Sequence, residues 1–411
     1  MFTLTLIRLP SLAQDIPLDS SRTHKQTDIK DLWNRLTHKK DTLKRKEEAK
    51  FQWVYFPAGG YSSNTGIAIL GGANALWTRD GATKQSNAST SFTYTQFRQT
   101  ILPLVVNVWT KKDRFNFFLD NRYINYPSNL YGLRGRSKLD SGYSVNFSWL
   151  KLHPSVLMKI SKNLYGGIGL YYDYFWDIVE SGFQRVAPTT NNPLGLSSAF
   201  EYYVGQPTPP GKETAFGPAV KLLFDSRDNP VNASKGFFGS AVFHPSFKSW
   251  GSDSSWSTLA LDARKYFSLS DRRYSVLALW AYYWQDFGRA PFLLLPSTGW
   301  DEYWNTGRGY SQGRYRGHIM RYLEAEYRFQ ILKNGLLGGV LFSNIQNFPN
   351  ELFTSYSEFR GRRVTNVTAV GYGTGVRFKF NKYSKTNLCF DMGFGQQFPK
   401  PWFAVNLSEV F

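Results

Sequence analysis

Thirteen residues, Asn305 to Gly317 (NTGRGYSQGRYRG), hold the densest functional chemistry of this 411-residue chain: four glycines, three arginines and two tyrosines. Guanidinium groups on a glycine-rich backbone could bind RNA or cradle a phosphate, or the stretch could serve no ligand at all. The formal net charge of +19 points first to nucleic acid. Yet no helix-turn-helix, zinc-finger or RNA-recognition signature is present. The basic residues are spread along the whole chain, many at alternate positions of apolar segments, so no nucleic-acid partner is expected. The five histidines (His24, His38, His153, His244, His318) never stand at metal-ligand spacing and read as structural. The single cysteine, Cys389, excludes an intrachain disulfide and a cysteine-based metal site. The strand pattern brings no Ser/His/Asp set together. Asp225 and Asp228 of DSRDN could suggest a metal, but they precede a turn, where capping suffices. Neither enzymatic activity, a metal nor a cofactor is expected.

The elements that would position the Arg308 stretch have a period of two. In HIMRYLEAEYRFQI (318–331), Ile319, Leu323, Ala325, Tyr327, Phe329 and Ile331 share one face, broken by Arg321. Glu324, Glu326 and Arg328 share the other. GYGTGVRFKF, NLCFDMGFG, DRFNFFLDNRY and WSTLALDARKYF alternate in the same way. From residue 51, sixteen such segments follow one another: 52–61, 65–78, 89–99, 102–111, 113–124, 143–160, 164–176, 215–227, 235–247, 254–268, 271–285, 318–331, 334–344, 365–380, 384–395 and 402–411. Aromatic residues gather toward their ends, and the polar faces mix acids, bases and glycines. Short turns alternate with mostly longer connections; only 79–88 is long for its side. An all-β, sixteen-stranded antiparallel transmembrane β-barrel accounts for this pattern, with an apolar band outside and a polar lumen. The final strand, PWFAVNLSEVF, puts Phe403, Val405, Leu407 and the terminal Phe411 on one face. A terminal aromatic of this kind resembles the C-terminal assembly signal of outer-membrane barrels.

Ahead of the barrel (51–411), residues 1–13 read as a weak or truncated signal peptide, with Ser11-Leu12-Ala13 as a cleavage site before Gln14. Residues 14–50 read as a periplasmic linker with a short N-terminal helix in 22–50. There Ile29, Leu32, Trp33, Leu36 and Leu43 form a stripe among ten Lys/Arg and five Asp/Glu. The stripe fits an amphipathic helix on an anionic membrane surface or a partner. A solvated tail fits the same residues, and the sequence leaves both open.

FDSRDNPVNASKGFF (224–238) and GRGYSQGRYRGHIMRYLEAEYRF (307–329) resemble the BamA/TamA-like outer-membrane barrel superfamily, also called the bacterial surface antigen family. YPSNLYGLRG, LPSTGW, GTGVRF and NLCFDMGFG follow in that family's order, over residues 51–411. The resemblance implies sixteen strands and a loop after the eleventh that folds into the lumen with an Arg-Gly-Tyr tip. It assigns the family-motif turn to Asp225, Arg227, Asp228, Pro230 and Gly236. In the lumen-inserted loop, Arg308 would pair with a wall carboxylate, with Gly309 for the turn and Tyr310 against a glycine-rich wall. Glu326, Glu324 and Asp391 are the candidates, Glu326 first. Asn344 stands where the family commonly has an Asp, and Cys389 where an Arg is frequent. Arg314 and Arg316 read as solvated. The stretch before residue 51 is too short for even one of the family's POTRA domains.

The function expected is that of an integral protein of the bacterial outer membrane in a Gram-negative cell. It would be accessory to assembly, insertion or translocation of outer-membrane or secreted proteins. Its first strand, with Pro57, Gly59 and Gly60, would pair weakly with its last. Its partners would be outer-membrane lipid, the barrel-assembly machinery as its own insertion route, and protein clients or a periplasmic partner through 22–50. The alternative is a passive or anion-preferring pore, with lumen charges Arg114, Arg264, Arg377 and Lys379, gated by the 286–317 loop.

Overall fold

Alternation with a period of two can bury one face of every strand only if the sheet closes or is covered. The computed structural model shows closure. It describes residues 26–37, 51–131, 142–349, 366–396 and 401–411, apart from 83, 183, 186, 191–192, 208–209, 271–273, 303, 383–384 and 408. The strands are β1 (Phe51–Ser62), β2 (Gly66–Trp77), β3 (Ser86–Thr95), β4 (Thr100–Trp109), β5 (Phe115–Asn125), β6 (Ser128–Leu130), β7 (Tyr143–Ser161), β8 (Leu164–Ser181) and β9 (Lys212–Asp225). They continue with β10 (Gly236–Ser246), β11 (Trp256–Ser268), β12 (Ser275–Gly288), β13 (Ile319–Gln330), β14 (Leu337–Phe348), β15 (Val367–Asn381), β16 (Thr386–Gly395) and β17 (Trp402–Leu407). All neighbours are antiparallel, and β1 meets β17, so sixteen of these strands form a closed barrel. β6 is the extra strand, a three-residue return that pairs with Tyr143–Val145.

The two faces divide as the sequence requires. Along β13, Leu323 and Tyr327 are exposed, whereas Glu324, Glu326 and Arg328 are buried. Leu341, Ile345, Tyr372, Val376, Phe378, Phe390 and Phe403 continue the exposed apolar face. The connection before β3 is long because it docks on its neighbour: Lys112 N–H donates to Gly81 O (2.6 Å) and Lys84 N–H to Asp113 Oδ1 (3.0 Å).

Closure is uneven. Register pairs number at least six between every other two neighbouring barrel strands. Between β1 and β17 the pairing among the described residues is one, Ser62 opposite Ala404. β17 is only six residues long and β1 twelve, so most of the facing edge of β1 has no strand beside it among the described residues.

One expectation is corrected. The last strand does not run to 411. It stops at Leu407, and Phe411 turns inward to pack on Trp280 and Tyr266 (5.3 and 6.4 Å between ring centroids). The cause is polar: Glu409 and the main-chain oxygen of Phe411 find arginine partners on the inner face. Among the described residues a short N-terminal helix covers Ile29–Leu36 (α1); residues 1–25 and 38–50, with the signal-peptide expectation and the rest of the 22–50 expectation, lie outside them. A second short helix, α2 (Ala199–Val204), is capped by Ser198, whose hydroxyl accepts Glu201 N–H, and closed by Gly205 in the left-handed region.

Candidate functional site

Residues 289–318, between β12 and β13, fold as an irregular hairpin against the inner face of the barrel. Its legs meet at a bridge between Ser297 and Arg316, and Gly313 N–H donates to Thr298 O (2.8 Å). At its root, Phe292 stacks on Phe200 of α2 (4.4 Å) and Tyr203 donates to Ala290 O (2.6 Å). Asp301 Oδ1 collects the N–H groups of Asn305 and Thr306 and the Thr306 hydroxyl, at 2.7–2.9 Å, fixing the turn into the tip. The hairpin also touches the opposite wall, where the Tyr126 hydroxyl donates to Gln312 Oε1 (2.7 Å).

The tip, Arg308-Gly309-Tyr310, lies backbone-to-backbone on a glycine stripe of β15 and β16. Gly309 has φ 98°, and a Cβ on it would stand 2.7 Å from Phe394 O. A Cβ on Gly393 would reach Gly309 N at 2.9 Å, and one on Gly395 would reach Gly309 O at 2.7 Å. No larger residue fits on either side of this contact. The Tyr310 ring lies beside Gly395, and its hydroxyl donates to Val370 O (2.6 Å).

All three carboxylates expected for Arg308 converge on it. Nε and Nη2 both reach Glu324 Oε1 (2.7 Å for Nε), Nη2 also reaches Glu326, and Nη1 reaches Asp391 Oδ2 at 3.5 Å. The guanidinium lies 3.7 Å from the centroid of Phe342. Glu324 rather than Glu326 is the principal partner. Asn344 does not pair with the guanidinium: its Nδ2 donates to Arg308 O (2.9 Å), holding the main chain of the tip instead. Burial alone would lower the Arg308 pKa; Glu324, Glu326 and Asp391 more than offset it and raise the pKa above its ordinary value.

The charges extend past the tip. Glu326 binds Arg328 (2.6 Å), which donates to the main-chain oxygen of Phe411 (2.6 Å). Arg377 bridges Asp391 (2.6 Å) and Glu409 (2.8 Å), and Asn387 donates to Glu409 (2.7 Å). Asn305, beside the tip, donates to Val410 O (2.5 Å). The tail after β17, which forms one side of the weak closure, is thus tied into the same network as the loop tip.

The remaining candidates separate. Asp225, Arg227, Asp228, Pro230 and Gly236 lie at the short-turn end and build that turn. Arg227 grips both oxygens of Asp225 (2.9 and 2.8 Å) and donates to Pro230 O, and Asp228 takes the N–H groups of Ser234 and Lys235. Phe403 is on the exposed face, with Val405 and Leu407 partly exposed beside it; Phe411 is on the buried one. Arg314 and Arg316, expected to be solvated, are buried. Arg314 lies over Tyr131 and Tyr315, and Arg316 donates to the carbonyls of Phe292 and Leu293. Of the basic residues read as lumen charges, Arg264 is gripped bidentately by Asp262 (2.9 and 2.6 Å) and Arg377 by two carboxylates, while Arg114 is exposed at a turn.

Sequence reasoning missed a repeated device. Asp120/Arg122, Asp262/Arg264 and Glu326/Arg328 are each an acid and an arginine two residues apart, paired side by side on an inner face, and Asp225/Arg227 repeats the pairing at a turn. The acid-x-Arg spacing, legible in sequence, was the signal. A cavity of about 140 Å³ remains between the hairpin and β5–β12, lined in part by Trp149, Lys151, His153, Tyr171, Asp173 and Trp300. His153 pairs with Asp173 (2.9 Å) there, but the nearby Ser155 hydroxyl is buried with no hydrogen bond to His153. Among the described residues no group of three His, Cys, Asp or Glu is placed to hold a metal ion.

No family model matches the chain, and no curated protein sequence matches it. Solved structures do. BamA from Haemophilus ducreyi lacking POTRA domains 1–3 superposes with a TM-score of 0.58 at 12 % identity, over 88 % of this chain and 71 % of that one. CdiB from Escherichia coli gives 0.52 at 10 %, over 88 % and 63 %; CdiB from Acinetobacter baumannii gives 0.51 at 11 %, over 88 % and 60 %. The chain therefore spans less than two thirds of the CdiB chains. At these identities the likeness is one of fold: the closed sixteen-stranded antiparallel barrel of this protein is similar to the barrels of BamA and CdiB.

Proposed function

We propose that this chain is an integral outer-membrane protein whose barrel assists the insertion or translocation of other proteins through the seam between β1 and β17. The observation that carries the reading is the closure by one residue pair, Ser62 with Ala404, in a barrel whose other neighbours share at least six. An exposed strand edge is a template for another strand, and the edge of β1 is such a template. The exposed apolar face and the inner face of paired charges suit a lipid-embedded barrel with its 289–318 hairpin seated in the lumen. Outer-membrane lipid, protein clients, and the barrel-assembly machinery as the route of insertion belong to the same reading. It assigns the chain no reaction. The pore alternative is disfavoured because Arg264 and Arg377 are neutralised by carboxylates and the hairpin spans from wall to wall.

The test is a reversible lock. Ser62→Cys with Ala404→Cys, in a Cys389→Ser background, places two thiols on directly opposed residues within disulfide reach. Oxidised protein should behave in cells like a deletion, and reduction should restore function. Indistinguishable phenotypes for locked and unlocked protein would sink the proposal.

A further inference from the structure

Helix α1 is held on the barrel by its polar side. Asp28 and Asp31 cap each other's main chain: Asp31 N–H donates to Asp28 Oδ1 (2.9 Å) and Asp28 N–H to Asp31 Oδ2 (3.1 Å). The same two carboxylates grip the β15–β16 turn. Asp28 Oδ2 accepts Lys382 N–H (3.1 Å), and both Asp31 oxygens accept Lys382 Nζ (2.9 Å). Thr27 N–H donates to Asn334 O on the β13–β14 turn (2.9 Å). Ile29, Leu32, Trp33 and Leu36 fall at i, i+3, i+4 and i+7, one face of a helix. Burial in a protein core would be the ordinary use of such a face. Here it is turned away, with Leu32 37 %, Trp33 63 % and Leu36 77 % exposed.

We propose that this apolar face lies in the interfacial layer of an anionic phospholipid leaflet at the short-turn end of the barrel, as a membrane-surface anchor. The inference rests on the outer-membrane reading above. Two observations select lipid over other occupants. The first is continuity with the lipid-facing surface. The turn residue that holds Thr27 follows exposed Ile331 and Leu332, and Lys382 follows exposed Phe378 and Phe380, so α1 is pinned at the edge of that apolar band. The second is charge: residues 22–50 carry ten Lys/Arg against five Asp/Glu, a balance that favours an anionic surface. Trp33 is the residue type that settles at the headgroup level.

Spin labels test this on the full chain folded into vesicles of phosphatidylethanolamine with phosphatidylglycerol. One label is placed at Leu36→Cys and, in a separate protein, a reference label at Leu341→Cys on the exposed face of β14. Collision rates with oxygen, which partitions into lipid, and with a water-soluble nickel chelate are compared. The expected result is an oxygen-dominated ratio at both positions. The ratio at position 36 should shift toward nickel in phosphatidylcholine vesicles and when Trp33→Asp is added. If position 341 favours oxygen but 36 favours nickel, α1 faces water and the anchor is refuted while the barrel reading stands. If position 36 is shielded from both reagents, a protein partner, a second copy or the barrel mouth covers it, and the anchor is again refuted. Nickel-dominated collisions at both positions overturn the membrane reading itself, and the anchor with it.

Discussion

Replacing Arg308 by Ala removes one guanidinium from three carboxylates, but the loss is not threefold. Glu326 keeps Arg328 at 2.6 Å, and Asp391 keeps Arg377 at 2.6 Å. Glu324 is left with the hydroxyl of Tyr322. The substitution therefore strands one buried carboxylate, a change that costs ~3–5 kcal/mol. Loss of the guanidinium from the face of Phe342 adds ~0.5–2 kcal/mol. The assay is urea unfolding of the protein in detergent micelles, followed by loss of the fast-migrating folded form on unheated gels, for four proteins: parent, Arg308→Ala, Glu324→Gln and the double substitution. Arg308→Ala should lose ~3.5–7 kcal/mol, and trypsin should then cut after Arg314 or Arg316, which are buried in the parent. In the double variant the stranded charge is gone, so ~1–3 kcal/mol should return. If Arg308→Ala stays within ~0.5 kcal/mol of the parent, or Glu324→Gln deepens its defect, the network does not hold the hairpin as described.

Other substitutions probe the same interior. Gly393→Val puts a side chain where Gly309 N would be 2.9 Å from its Cβ, and should cost ~1–3 kcal/mol by overpacking while increasing protease access to the hairpin; an unchanged unfolding midpoint would show that the tip is not seated on the stripe. Asp262→Ala removes the bidentate partner of buried Arg264 and should cost ~3–5 kcal/mol, much of it recovered by adding Arg264→Met; equal stability of the single and double variants would contradict this.

Much of the barrel is legible because alternation is a local signal: each residue's face depends only on whether its position is odd or even. Strand positions followed from it, with ends shifted by a few residues where a connection docks on a neighbour, as at Lys84 and Asp113. The Arg308 partners were legible as a set, since Glu324, Glu326 and Asp391 share the polar face. Their ranking was not, because Glu324 and Glu326 lie two residues apart on one strand and only the depth of the hairpin decides between them. The burial of Arg314 and Arg316 was hidden for a related reason: their partners are carbonyls and rings contributed by distant segments. Phe411 misled because extrapolating the alternation ignores Glu409, whose arginine partners stand on the inner face. The acid-x-Arg pairs were visible but read one charge at a time, which made neutralised arginines look like an anion path.

The two-walled contact of the hairpin also constrains the order of assembly. Its tip is locked against glycines of β15 and β16, while Gln312 bonds Tyr126 across the interior. A thirty-residue segment carrying buried arginines does not thread through the end of a finished cylinder at small cost, since each charge would have to pass without its partner. The hairpin must therefore be in place while the sheet is still an open ribbon, and β13 to β16 must be laid down beside it. The meeting of β1 with β17 comes last. The weakest strand pairing among the described residues is the step that completes the barrel, so a fault in seating the hairpin should surface as a barrel that fails to shut.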